Sequence, residues 1–226
     1  MAERDERDLL LYLRDLRWHH VDRGAEGPPS PPSQVFPGVS EQRPQTLEEL
    51  SETAARCRQC RLAAGRRNVV FGVGNPNARL MFVGEGPGAD EDASGEPFVG
   101  RAGQLLTAML RAMRLRREDV YIANIVKCRP PGNRDPEPDE AAACLPYLRR
   151  QIELVNPAVI VLLGRIAARF LLGTTAPISS YRGVWKTWEG RDVLPTYHPA
   201  FLLRNPAAKA QAWADLRRLR RFWGPE

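Results

Sequence analysis

Residues 80–88 read LMFVGEGPG, a short run of apolar residues followed directly by a turn rich in glycine and proline. This order predicts a buried strand, Leu80–Val83, that ends in a tight loop. Three similarly short apolar runs follow along the chain, at Val120–Val126, Ala158–Leu163 and Val193–Tyr197. Segments with helical periodicity separate the runs, which is typical of βαβ units. We therefore predict an α/β fold, a three-layer sandwich with a central, mostly parallel sheet of about four strands flanked by helices.

Helical patterns fill the gaps between the predicted strands. Thr46 followed three residues later by Glu49 is a helix-capping signal, and it predicts a helix over residues 46–58. Four more helices are predicted, at Gly103–Met113, Glu137–Val155, Arg165–Leu171 and Pro206–Phe222. The segment Tyr181–Arg191, which is bounded by polar residues and contains two glycines, predicts a hairpin.

The first 45 residues differ in composition from the rest of the chain. Residues 1–23 predict a short helix with leucines on one face. Residues 24–45 contain six prolines and three glycines, a composition typical of a flexible linker. The folded domain is therefore expected over residues 46–226. The helix at 1–23 is interpreted either as a docking element for a partner or as a dispensable extension.

Composition and charge exclude several classes of protein. The chain has 226 residues, of which 43% are hydrophobic, enough to build a core and to exclude a wholly disordered chain. No apolar run approaches the roughly 18 to 20 residues of a membrane span, and the first residues lack the order of a secretory signal. We therefore expect a soluble, cytoplasmic, monomeric protein without membrane contact. The formal charge is +6 overall and −2 in residues 1–45, so +8 falls on the predicted domain.

Segments that suit a binding site follow three of the four predicted strands. The first strand runs into Gly84–Gly88, the second ends near Asn124, and His198 follows the fourth. Each segment alone is typical of a structural role, as a tight turn, a cap or a packed histidine, and Phe98 alone is typical of a core. The carboxyl ends of parallel strands meet at one edge of a sheet, where ligands bind in open α/β folds. Together the segments therefore predict one ligand-binding site.

The chain contains four cysteines, which are too few for a disulfide-stapled secreted scaffold. Cys57 and Cys60 form a Cys-x2-Cys pair, Cys128 follows the second strand, and Cys144 lies 16 residues later in a predicted helix. Two thiolates at that spacing can chelate one metal atom or one edge of a cluster. Spacing alone fits a structural zinc ion and a [4Fe-4S] cluster equally well, with buried thiols as a third alternative.

These blocks together resemble the iron–sulfur, family 4 uracil-DNA glycosylases of bacteria and archaea. The resemblance covers about residues 47–223 and rests on Cys57-x2-Cys60, Gly84–Gly88, Gly95–Gly100, Asn124–Asn133 and His198–Ala200. It implies a [4Fe-4S] cluster held by Cys57, Cys60, Cys128 and Cys144. It also implies a hydrolase that removes uracil from single- or double-stranded DNA, releasing free uracil and leaving an abasic site for base excision repair.

The resemblance assigns roles to individual residues. Gly84, Glu85 and Gly86 form the loop that faces uracil, and Phe98 stacks on the base. Asn124 reads the edge of the base, and His198 hydrogen-bonds its carbonyl O2.

The residue that positions the catalytic water differs from the better-known uracil glycosylases. Those enzymes use an aspartate two residues after the first glycine of the motif, and here that position is Gly86. Glu85, Glu91 and Asn133 are the candidates, and the resemblance favours Asn133 with support from Glu91. The other interpretation of Glu91 is that it caps the following helix.

Contacts with DNA are expected around the same edge of the sheet. Leu202 and Leu203 are interpreted as an apolar wedge that fills the gap left by an extruded base, or else as the apolar start of the last helix. The basic domain suits a phosphate-binding face, and four arginines lie on the predicted rim, Arg129, Arg134, Arg182 and Arg204.

Two alternatives to a simple excision enzyme follow from the same residues. Related glycosylases include a branch that becomes covalently attached through a histidine in an inserted loop, but residues 127–140 contain neither a histidine nor a long insertion. The alternative function is a non-catalytic iron–sulfur protein that binds DNA or senses damage. A redox protein is disfavoured, because the ligands of the cluster are expected to lie apart from the polar edge of the sheet.

Overall fold

A computed structural model of the chain describes residues 44–222. The helix predicted at 1–23 lies outside these residues, as does the linker predicted at 24–45 except for Pro44 and Gln45. Within the described part of the chain, no helix is long and apolar enough to cross a membrane.

Six strands form a single mixed sheet in the order β1-β3-β2-β4-β6-β5. The strands are β1 (Val73–Gly74), β2 (Leu80–Gly84), β3 (Tyr121–Asn124), β4 (Val159–Leu163), β5 (Lys186–Trp188) and β6 (Arg191–Thr196). The four central strands, β3, β2, β4 and β6, are parallel, which confirms the predicted core of the sheet. The edge strands β1 and β5 are antiparallel to their neighbours and were not among the four predicted strands. The hairpin predicted at Tyr181–Arg191 corresponds to β5 and its turn into β6.

Seven α-helices are present in residues 44–222. They are α1 (Leu47–Ala55), α2 (Ala89–Ser94), α3 (Arg101–Ala112), α4 (Pro138–Val155), α5 (Arg165–Leu172), α6 (Pro199–Arg204) and α7 (Lys209–Arg217). As predicted, Thr46 caps α1, since its side chain accepts a hydrogen bond from the Glu49 N–H at 3.2 Å. The helix predicted at Pro206–Phe222 is instead interrupted, because it comprises the 3-10 turn Pro206–Ala208, α7 and the 3-10 turn Arg220–Phe222.

Side chains alternate between the two faces of the sheet and build two separate cores. On β2, Met81 and Val83 belong to the core beneath α1, α4 and α5, whereas Leu80 and Phe82 belong to the core beneath α3 and α7. All five residues of β2 are buried, as expected for a parallel strand covered on both faces. The three-layer arrangement predicted from the sequence is therefore confirmed.

The register of the central strands brings the predicted site together. Gly84 at the end of β2 lies opposite Asn124 at the end of β3, and Leu163 at the end of β4 lies opposite Thr196 at the end of β6. The loops that leave these strands therefore start side by side on one edge of the sheet.

Candidate functional site

A pocket opens at the carboxyl ends of the central strands. Its walls come from the loop after β2, the loop after β3, the turn between β4 and α5, and the segment that joins β6 to α6. The predicted site residues Glu85, Gly86, Phe98, Asn124 and His198 all line it. Segments that are far apart in sequence thus form one cavity.

The side chains of Phe98 and Asn124 both pack against Gly84. A Cβ atom on Gly84 would lie 2.5 Å from Asn124 Oδ1 and 2.5 Å from Phe98 Cζ, so no larger residue fits. The Phe98 ring is also close to His198, with 5.6 Å between ring centroids and an interplanar angle of 34°. The aromatic ring, the carboxamide and the imidazole therefore line one pocket. Gly84, predicted to face the ligand, instead packs behind the ring and the carboxamide and does not line the pocket.

Asn124 carries an acceptor that no residue of the described chain satisfies. Its side chain is 1% exposed, and its Oδ1 atom has no hydrogen-bond partner within residues 44–222. A buried polar atom without a partner costs about 1–3 kcal/mol. A ligand that presents an N–H donor to the pocket would remove this cost.

His198 is oriented by the start of α6. Its Nδ1 atom accepts a hydrogen bond from the Ala200 N–H at 3.1 Å, which places the ring proton on Nε2. Burial and the nearby Arg204 charge lower the pKa of His198 to about 4, so the ring is neutral at neutral pH. The imidazole can therefore donate one hydrogen bond through Nε2.

The three candidates for positioning water differ in their surroundings. The Glu91 carboxylate accepts three backbone N–H groups, from Gly88 at 3.0 Å, Val99 at 3.0 Å and Gly100 at 2.9 Å. It thereby ties the loop after β2 to the start of α3, which agrees with the capping interpretation. The Glu91 carboxylate is therefore occupied by backbone hydrogen bonds.

Asn133 and Glu85 also line the pocket. Asn133 is exposed, and its Oδ1 atom accepts a hydrogen bond from Arg129 Nε at 2.7 Å. The Glu85 carboxylate, by contrast, has no hydrogen-bond partner among the described residues. Burial, assisted by the negative charge of Asp135 and opposed by Arg165, raises the pKa of Glu85 to about 7.

Only some of the residues predicted to contact DNA, two leucines of the wedge and four arginines of the rim, are accessible. Leu202 is 1% exposed and belongs to the core beneath α3 and α7, so only Leu203, which is half-buried, remains available as a wedge. Arg204 and Arg134 line the pocket as predicted, and Arg129 contacts it through Asn133.

Arg182 does not lie on the rim as predicted, because its guanidinium is held inside the domain. It donates to Asp215 Oδ2 at 2.9 Å and Oδ1 at 2.5 Å, and Asp215 is 2% exposed. Sequence reasoning missed Arg165 and Arg101, which also line the pocket, because no motif or spacing distinguishes them from the other arginines of the chain.

The four cysteines line one small cavity on the other side of β3. Its remaining walls include apolar side chains and the polar residues Arg66, Lys127 and Tyr147. Arg66 Nη1 donates to the sulfur of Cys128 at 3.3 Å, and the Lys127 backbone N–H donates to the sulfur of Cys144 at 3.2 Å. Within residues 44–222, no three histidine, cysteine or acidic side chains lie close enough together to hold a single metal ion. The four cysteines thus lie around one common cavity.

Lys127 lines the cysteine cavity and also contacts the end of β3. Its side chain is 2% exposed, and its Nζ atom donates to the Asn124 carbonyl at 2.9 Å and to Gln151 Oε1 at 2.5 Å. Burial lowers the pKa of Lys127 to about 8. The residue that lines the cysteine cavity thus also binds the backbone at the end of β3, at Asn124.

Comparisons with known proteins agree with this arrangement. The profile of the Uracil DNA glycosylase superfamily matches residues 71–217. A type-4 uracil-DNA glycosylase of Thermotoga maritima is 53% identical over 72% of this chain and 86% of its own length. A type-4 enzyme of Archaeoglobus fulgidus is 44% identical over 80% of this chain and 94% of its own. A type-5 enzyme of Pyrobaculum aerophilum is 34% identical over 58% of this chain and 66% of its own.

Proposed function

The chain belongs to the uracil DNA glycosylase superfamily, and from this we infer that it is a uracil-DNA glycosylase acting in DNA repair. The reaction is hydrolysis of the N-glycosidic bond between uracil and deoxyribose. The observation that carries this conclusion is the convergence of Phe98, Asn124 and His198 on one pocket, with an unsatisfied acceptor at Asn124. Each of these side chains matches one requirement of the reaction.

The Asn124 carboxamide can form hydrogen bonds with the base edge at which uracil differs from cytosine. Uracil presents an N3–H donor beside the O4 acceptor, whereas cytosine presents an N3 acceptor beside an amino donor. The unsatisfied Asn124 Oδ1 can accept the N3–H, and the amide nitrogen can donate to O4. A carboxamide fixed in this orientation leaves polar groups unpaired against cytosine, at a cost of about 1–3 kcal/mol per group.

Replacing Asn124 with leucine, which has a similar volume but no polar group, tests this assignment. We expect kcat/KM for uracil to fall about 10- to 100-fold, because the base loses its paired partners. The measurement compares base release from matched oligonucleotides that carry one uracil. Asn77→Leu, on an exposed turn before β2, is the control and should retain wild-type activity. A fully active Asn124→Leu enzyme would contradict the assignment.

The His198 imidazole can stabilise the negative charge that develops on the departing uracil. Breaking the glycosidic bond leaves negative charge on the departing uracil, and a preoriented donor lowers the barrier by binding the oxygen where that charge collects. The Nε2–H of the neutral ring is such a donor, since Nδ1 is occupied by Ala200. Protonation of the ring is not required, which agrees with its lowered pKa.

Glu85 is our choice for the residue that orients the attacking water. Its carboxylate lines the pocket and is free of hydrogen bonds within residues 44–222, whereas Glu91 is engaged by three backbone groups and Asn133 is exposed. An ionised carboxylate can accept a proton from water, and a protonated one cannot. Asn133, with support from Glu91, is the alternative that experiment must distinguish.

A role for Glu85 in orienting water predicts that kcat/KM depends on pH. The pKa of Glu85 is raised to about 7, so the carboxylate ionises as the pH rises through that value. We expect kcat/KM to rise about tenfold per pH unit below 7 and to level off above it. In Glu85→Gln this limb should disappear, because His198 stays neutral down to about pH 4.

Two controls accompany the pH profile. Glu96→Gln removes an exposed carboxylate that does not line the pocket and should keep the limb. Asn133→Ala should also keep it, with a rate close to wild type. A limb that persists in Glu85→Gln, together with a large loss in Asn133→Ala, would transfer the role to Asn133.

Access to a base in duplex DNA requires its extrusion from the stack. Leu203 is half-buried at the end of α6, beside the exposed Arg204. From this position its side chain can fill the gap that the extruded base leaves in the stack. Arg101 and Arg204 line the pocket and can contact phosphates, whereas the Arg134 guanidinium is engaged by a bidentate ion pair with the buried Glu140.

For the cysteine cavity we propose a [4Fe-4S] cluster held by Cys57, Cys60, Cys128 and Cys144. Two features support a cluster. All four thiols line a single cavity, and N–H donors face two of the sulfurs, as is usual around iron–sulfur centres. When bound, the cluster would cross-link the segment after α1, the loop after β3 and helix α4.

The direct test of function is to incubate the purified protein with an oligonucleotide that carries one uracil and then treat it with alkali. We expect release of free uracil and strand cleavage at the resulting abasic site. A non-catalytic DNA-binding protein, the alternative function, would retard the oligonucleotide in a gel and leave it intact. Deleting residues 1–45 in the same assay tests whether the N-terminal segment contributes to catalysis.

A further inference from the structure

Arg117 lies in the 3-10 turn before β3, outside the pocket and outside every motif identified in the sequence. Its guanidinium is half-buried and points at the backbone of the segment between α2 and α3. Nη1 donates to the Phe98 carbonyl at 3.0 Å, and Nη2 donates to the Pro97 carbonyl at 2.8 Å. A fork of two parallel N–H groups thus holds two consecutive carbonyls.

The backbone that Arg117 holds is in an unusual conformation. Phe98 has a φ of +56°, in the left-handed region that aromatic residues rarely adopt. Such a conformation persists only when surrounding contacts impose it, and it is found preferentially at functional sites. The two hydrogen bonds from Arg117 are contacts of this kind.

Two further contacts hold the same residue from other sides. The Val99 and Gly100 N–H groups donate to Glu91 Oε1, which fixes the backbone after Phe98. Gly103 on α3 packs so tightly against Phe98 that an added Cβ would lie 1.8 Å from the Phe98 carbonyl oxygen. Arg117 is the only one of these contacts made by a side-chain cation, and it comes from an element 19 residues further along the chain.

The direction of the Phe98 side chain follows from this backbone. Its ring is 6% exposed, lies over Gly84 and is 5.6 Å from the His198 ring. The position of the ring therefore depends on the φ angle that sets the direction of its Cα–Cβ bond. We propose that Arg117 is a positioning residue that holds the Phe98 ring in place for stacking on the extruded base, an inference that rests on the proposed function.

A double-mutant cycle between Arg117 and Phe98 tests this proposal. Arg117→Met keeps the aliphatic stem and removes the donors, and it should lower kcat/KM for uracil about 10- to 30-fold. In a Phe98→Ala background the same change should cost less than about twofold, since no ring remains to be positioned. Arg116→Met is the matched control: it removes exposed ion pairs with Glu118 and Asp119 and should leave activity unchanged.

Folding is measured alongside activity for every variant, by thermal unfolding and near-UV circular dichroism. If Arg117→Met does not fold, Arg117→Lys takes its place in the cycle, because it retains the charge but not the fork of donors. Losses that add in the double variant would show that Arg117 only stabilises the fold, and the proposal would be overturned. Full activity of Phe98→Ala would instead overturn the assignment of the pocket, so the two failures are distinguishable.

Discussion

Replacing His198 with alanine is expected to lower kcat for uracil release about 10²- to 10³-fold, because a donor aimed at developing negative charge contributes this much in comparable sites. The loss should appear in kcat rather than KM, since the hydrogen bond strengthens only as the uracil anion forms. Ala200 already occupies Nδ1, so Nε2 is the ring atom left to act on the substrate. Single-turnover release of uracil from an oligonucleotide measures the effect.

His198→Gln provides the matched comparison, since it keeps an N–H donor of similar reach without an ionisable ring. It should recover part of the lost rate, and its pH profile should keep the limb near 7 that we assign to Glu85. A His198→Ala enzyme within a few-fold of wild type would remove the imidazole from the mechanism.

Replacing Cys144 with alanine is expected to have the largest effect on stability. Cys144 lies in the middle of α4 and is 9% exposed, so the cluster proposed for this cavity would join this helix to the other cavity walls. Removing one ligand should reduce the iron content from about four per chain to well below that and lower the thermal midpoint sharply, because cofactor binding is coupled to folding. Iron and sulfide analysis with thermal unfolding measures both.

Val155→Ala is the control for the effect of core volume. Val155 is 4% exposed in the same helix and does not line the cysteine cavity, so its truncation should destabilise the domain and leave the iron content unchanged. Zinc in place of iron in the purified wild type would favour the single-ion alternative. Unchanged iron in Cys144→Ala would exclude this residue as a ligand.

The central sheet could be predicted from the sequence because its strands are buried on both faces. A parallel strand covered by helices is continuously apolar, as in Leu80–Val83 and Val159–Leu163, and such runs are visible without knowledge of tertiary structure. The edge strands β1 and β5 have two and three residues. Segments this short carry no periodicity, and only pairing with distant residues makes them strands.

The candidate site could be predicted in part for the same reason. Asn124 ends an apolar strand and His198 comes shortly after another, so topology alone places them at one edge of the sheet. The contact of Arg117 with Phe98 could not be predicted, because it depends on a left-handed residue and a close helix approach that leave no local signal. Leu202 and Leu203 are equally apolar in sequence, and only the direction of α6 decides which of them is buried.

The brevity of the two edge strands has a consequence for self-association. Exposed sheet edges are templates onto which another polypeptide can add, and long flat edges promote fibril growth and domain exchange. Here the outermost strands, Val73–Gly74 and Lys186–Trp188, offer only a few free backbone groups, and one of them begins with a lysine. The described part of the molecule thus keeps its most apolar strands in the interior of the sheet, out of reach of intermolecular β-pairing.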